Sequence, residues 1–344
     1  MVKHDKLWES NRKGFTLIEL LVALVLSFIL VGAVYGTFTS QQKAYTIQDQ
    51  VAEAQQNARM AMNILVRDMR MAGYGMPDGG ITIDKITYTN AIKITKNKHG
   101  KDELFDSITL VGAFGPPIGY LNRTLSPGSK ELYLRSSGEA RNFNSTHNKY
   151  IFIGGIDKLT VAEVDGNMIT LSGRTSVRYP TAILNSAVDQ GTTDIPVYST
   201  DGLVSGDVLS LGRETITITA LSEDTLTVDT DLDTAGNQGI TGTYPAGTII
   251  NPVPVFRVTA VEYGLDPYYG NMTREDKAVV AGGGVICDLA GNILDIQVSP
   301  DDQNDQPSYT VTLTARTKNP DPDYGENEGY RLRVLQSMVA LRNL

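Results

Sequence analysis

The stretch FTLIELLVALVLSFILVGAVYGTF, residues 15–38, holds 24 residues and a single charged side chain, Glu19. As an α-helix rising about 1.5 Å per residue it would be about 36 Å long, enough to cross the hydrocarbon core of a bilayer. Lipid offers no partner for backbone N–H and C=O groups, so such a segment is restricted to a helix. Lys3, Lys6, Arg12 and Lys13 precede it against Asp5 and Glu9, which places the N-terminus in the cytoplasm and the rest of the chain on the far side. No small-residue cleavage site follows the apolar run, which therefore reads as a retained anchor and not as a removed secretory signal. Glu19 is the anomaly: a carboxylate in an apolar helix is costly without a partner and usually marks function.

Beyond Phe38 the apolar residues become periodic. Ile47, Val51, Ala54, Ala58, Met62, Leu65 and Met69 recur at steps of four and three, the spacing of one helix face. No proline lies between residues 15 and 76, so one helix is expected from Phe15 to about Met71, with Gly73, Gly75 and Pro77 ending it. Arg67, Asp68 and Arg70 read as a solvated face of that helix.

From residue 80 onward short β-branched and aromatic runs alternate with turn residues, and no second long amphipathic pattern occurs, which predicts a mainly antiparallel β half. LTVAEVDGNMITL at 159–171 and ITITALSEDTLTV at 216–228 superpose with a shift of 57 residues, each reading as strand, polar turn, strand. They are taken as related β units. The segment 182–250 reads as a β insertion, with STDGLVSGDVLSLG resembling small modules of phage tail and surface proteins.

The composition excludes several functions. Thirty Lys and Arg against 39 Asp and Glu give a net charge of -9, which leaves no cationic excess to neutralise nucleic-acid phosphates. One cysteine, Cys287, and three histidines support neither a disulfide framework nor an acid-base constellation, so no catalytic residue and no cofactor site is assigned. Cys287 reads as a small core hydrophobe, and Gly282–Gly284 as a turn. Two acidic loops carry Asp301, Asp302, Asn304 and Asp305, and Asp321, Asp323, Glu326 and Glu328. Oxygen donors at alternating positions suit Ca2+, but neither loop has EF-hand spacing, and solvated loops are the simpler reading.

Lys13-Gly14-Phe15-Thr16-Leu17-Ile18-Glu19 resembles the cleavage and methylation signal of type IV prepilins and pseudopilins. LVRDMRMAGYG at 65–75 and the ending EGYRLRVLQSMVALRNL resemble the PilW-type minor pilins and the J-type pseudopilins of type II secretion. The likeness covers roughly residues 12–80 and 252–344. It implies an α+β, pilin-like fold: a leader at 1–14, a transmembrane helix at 15–38, its amphipathic extension at 39–76, and a pilin-like β domain at 77–181 and 251–344. It further implies that a prepilin peptidase cuts between Gly14 and Phe15 and methylates the new Phe15 amine, and that Glu19 pairs with the Phe15 amine of a neighbouring subunit. Loss of four cationic and two anionic side chains would take the net charge from -9 to -11. The function implied is that of a non-enzymatic minor pilin, held in the inner membrane and then in a surface pilus. It would help to initiate or cap the fibre with other pilins, the membrane assembly machinery and a tip protein. A secretion pseudopilin and a tip-displayed adhesin are the alternatives.

Overall fold

The computed structural model describes residues 14–83, 85–99, 104–231, 236–266, 270–277, 285–301 and 307–341. One helix, Leu17–Met71, runs for 55 residues, about 82 Å at the usual rise. It ends where Gly73 and Gly75 take positive φ. At Gly75 a Cβ would stand 2.6 Å from the Phe152 ring, so both conformation and space require glycine there. The remainder is a mostly antiparallel β assembly, and the fold is α+β as expected.

The chain divides into two compact units. The first comprises Met1–Glu53 and Thr317–Arg331. In it the chain is exposed on every side from Gly14 to Phe38, and the 317–331 loop is fastened by an ion pair, Arg331 Nη2 to Asp321 Oδ2 at 2.7 Å.

The second unit comprises Ala54–Arg316 and Leu332–Leu344. Here the helix becomes one-faced: Ala54, Ala58, Ala61, Leu65 and Met69 are buried, and the three alanines allow close backbone approach. The five-stranded sheet of this core runs 285–290, 272–276, 259–265, 104–112, 92–99, and a three-stranded sheet runs 293–301, 308–316, 332–340. Ile108, Leu110, Tyr263, Ile296, Val311 and Leu313 fill the space between. Asp68 corrects the sequence reading of a solvated face, because it is only 2% exposed. It sits beside Met69 on the packed side of the helix, accepts a 2.5 Å hydrogen bond from Tyr263 Oη and pairs with Arg274 Nε at 3.2 Å. Burial, reinforced by the Asp68 charge, pushes the Tyr263 phenol far above its ordinary value. Cys287 is a second correction: it is exposed on 285–290, the edge strand of the five-stranded sheet.

Two small closed barrels complete the unit. The first orders its strands 119–120, 254–257, 150–153, 157–165, 168–171, 131–133; the second orders them 182–183, 249–250, 208–211, 214–221, 225–229, 194–196. Leu121 bridges Leu134 in one and Leu184 bridges Val197 in the other, which joins the two end strands of each sheet and removes its free edges. Each has its own buried core, around Leu132, Phe143 and Ile169 in one and Leu209, Ile216 and Val228 in the other. The 57-residue repeat forms the central hairpin of both, with a bulge at Val161/Glu163 and at the matched Ile218/Ala220. The likeness extends further than the sequence reading: a shift of 63 carries 119–120 onto 182–183 and 131–133 onto 194–196. The six-residue difference between the shifts falls between Leu134 and Tyr150, where only the first barrel has the short helix Ser137–Ala140. In sequence the second barrel lies between Tyr179 and the 254–257 strand of the first.

One polar clamp recurs in both copies. Asp157 accepts from Ser176 Oγ at 2.6 Å and Tyr179 Oη at 2.9 Å. At its counterpart, Glu214 accepts from Thr241 N at 2.7 Å, Gly242 N at 3.0 Å and Tyr244 Oη at 2.5 Å. Burial raises the Glu214 carboxyl, but these donors outweigh it and hold the group below its ordinary value. Burial and the Glu214 carboxylate push the Tyr244 phenol up to about 12.

Two tests follow from this packing. Asp68→Ala strands a buried hydroxyl and a half-buried guanidinium and should cost on the order of 3 kcal/mol by denaturant unfolding, whereas Tyr263→Phe should cost about 1 kcal/mol. Because the folded Glu214 pKa is depressed, its contribution is full above about pH 4.5 and is lost as pH falls through the lowered value. Urea midpoints of Glu214→Gln and the parent should therefore differ at pH 7 and converge as pH falls below that lowered value.

Candidate processing and assembly site

The helix start carries the chemistry that the sequence singled out. Gly14 is exposed and Phe15 is 88% exposed. Thr16 and Glu19 form a reciprocal capping box: Thr16 N and Thr16 Oγ1 each donate to Glu19 Oε2 at 3.0 Å, and Glu19 N donates to Thr16 Oγ1 at 3.3 Å. Such a box satisfies donors that the first turn leaves without intrahelical partners, and the carboxylate also lies at the positive end of the helix dipole. Thr16 is the residue that the sequence reading missed, although Thr-Leu-Ile-Glu is itself the capping-box spacing. The carboxylate is thus held one turn from Gly14–Phe15. Both of its cap bonds use one oxygen, Oε2.

The acidic loops fare differently. Asp302, Asn304 and Asp305 lie outside the described residues; Asp301 is half-buried at the end of the 293–301 strand. Gly282–Gly284 also lie outside them. In the second loop Asp321 is buried and serves Arg331, whose guanidinium stands 4.8 Å from the Tyr324 ring. Asp323 N donates to Asp321 Oδ1 at 3.1 Å. The Arg331 hydrogen bond, ahead of that from Asp323, holds the Asp321 carboxyl below its ordinary value. Among the described residues no group of three or more His, Cys, Asp or Glu could hold a metal ion.

Residues 10–35 match the prokaryotic N-terminal methylation motif. The signal is of the prepilin type. It supports a type IV pilin-like protein of structural role, processed by a prepilin peptidase, anchored by its retained apolar helix and incorporated with other pilins. No curated protein and no solved structure gives a match.

Thr16→Ala removes a donor and an acceptor of the cap together. Amide exchange at Leu17–Leu20 in detergent micelles should speed up by the equivalent of about 1 kcal/mol, with the helix beyond unchanged.

Proposed function

We propose that this chain is a minor pilin of the PilW type that helps to initiate or cap a type IV pilus. The observation that carries the reading is continuity: the prepilin signal opens a 55-residue helix that is apolar and exposed at its start and forms part of a β core at its end. Such a spine can be held in lipid and then transferred into a fibre, where neighbouring helices replace the acyl chains around the same apolar surface. The N-terminus is cytoplasmic, the β domain periplasmic and later at the cell surface. Prepilin peptidase cuts after Gly14, and the methylated Phe15 amine of one subunit meets Glu19 of the next. A buried carboxylate with such a partner is tolerated and an unpaired one is penalised, so the pair sets the register. The second barrel, 182–250, is an insertion carried by the pilin-like domain of 77–181 and 251–344 and placed for display.

Mass spectrometry of the N-terminus in membranes and in sheared surface fibres tests this. N-methylated Phe15 in fibres is the expected result; mature protein confined to the membrane would favour a secretion pseudopilin, and an intact leader in both fractions would overturn the reading. The capping box adds a sharper test. Thr16→Ala should still enter fibres, whereas Glu19→Ala should be cleaved yet excluded; equal behaviour would reduce Glu19 to a helix cap.

A further inference from the structure

The two barrels share one plan, so matched positions show what one copy carries and the other does without. A cleft of about 380 Å3 opens where Arg123, Lys130, Glu131 and Tyr133 of the first barrel meet Asp201 and Gly202 of the second. Under the 63-residue shift, Arg123, Lys130 and Tyr133 correspond to Ser186, Thr193 and Pro196. The fold therefore does not need two cations and an aromatic ring at these places. An acid stands at the fourth position in both copies but is used differently: Asp194 accepts from Thr227 Oγ1 at 2.8 Å, whereas Glu131 accepts from Tyr133 Oη at 3.3 Å.

The cleft is built before any ligand arrives. The Arg123 guanidinium lies 3.5 Å from the centre of the Tyr133 ring, a cation–π contact that fixes its plane. The facing wall is held by Arg178, which donates to Gly202 O at 2.8 Å and pairs with Asp207. Gly202 has φ 75°, and a Cβ there would stand 2.8 Å from Thr124 Cγ2, so only glycine lets the wall approach this closely. Among the described residues neither Arg123 nor Lys130 has a carboxylate partner.

We propose that this cleft binds a carboxylated saccharide. Arg123 and Lys130 take the carboxylate, for which a fixed guanidinium is suited, and Glu131 and Asp201 accept from ring hydroxyls. A peptide that docks through aliphatic side chains fits less well, because the aliphatic residue of this lining, Leu125, is buried in the barrel core; Tyr and Arg also anchor protein partners, so an acidic peptide is the competing occupant in the test. The inference stands on the cleft alone and does not depend on how the chain is assembled.

Calorimetric titration of the full-length protein in uncharged detergent micelles tests it, with trigalacturonic acid, maltotriose and hexaglutamate as probes. Trigalacturonic acid should bind, more weakly as ionic strength rises, and maltotriose should not. Replacing Arg123→Ser and Lys130→Thr together, the residues that the second barrel tolerates at these positions, should weaken binding about tenfold or more. Ser186→Ala on the other barrel should leave it unchanged. Failure of trigalacturonic acid to bind, binding indifferent to the double substitution or to salt, or hexaglutamate binding as tightly would each overturn the proposal, the last in favour of an acidic protein partner.

Discussion

Everything in this protein hangs on a helix whose backbone hydrogen bonds are satisfied within the segment itself. That property lets one continuous element serve two solvents, since only its side chains need to change along the way. For residues 15–38 they are exposed and, apart from Glu19 and a few hydroxyls, apolar. From Ala54 they are apolar on one face, and small residues there bring the β core close. A proline or an extended polar interruption between these regions would separate the anchor from the domain it carries. The Asp68–Tyr263–Arg274 contact adds direction to this packing, because a buried carboxylate accepts only the rotation and register that bring both donors to it.

The barrels solve a separate problem. Outside the central hairpins the strands are only two to four residues long and expose too little apolar area to be stable as open sheets. Closing six strands on themselves removes the edges and encloses a core in each copy. The carboxylate clamps at Asp157 and Glu214 sit at matched places and each ties a returning loop to the central hairpin. Common clamps, common bulges and common bridges mark the framework, and against that framework the residues of the Arg123 cleft stand out as particular to one copy.

Several features were legible in the residues alone for identifiable reasons. The helix announced itself through a long apolar run followed by 3.6-residue periodicity, and its end through glycines and a proline. The prepilin-type signal is a contiguous string, so no tertiary information was needed to read it. The repeat was visible only in its central hairpin, because there the chain alternates over enough residues to be compared without a gap. The outer strands are two or three residues long and are displaced by a different shift, which a single alignment offset cannot follow. Asp68 was misread because a charged residue between two arginines looks solvated until its partners, some 200 positions away, are known. Cys287 was misread because an apolar neighbourhood in sequence does not reveal that its strand lies at a sheet edge, where Ile286, Cys287 and Asp288 are all exposed.

By itself the sequence determined the spine, its apolar first half, the signal at its start and the β character of the rest, since these depend on local composition and period. Only the tertiary structure decided that two closed barrels arise from one plan, that Asp68 meets Tyr263 and Arg274, and that Arg123 and Lys130 line a cleft with Asp201 and Gly202 of the other barrel. Strand partners and cleft walls are chosen by contacts between distant residues, and no local pattern encodes a distance across the chain.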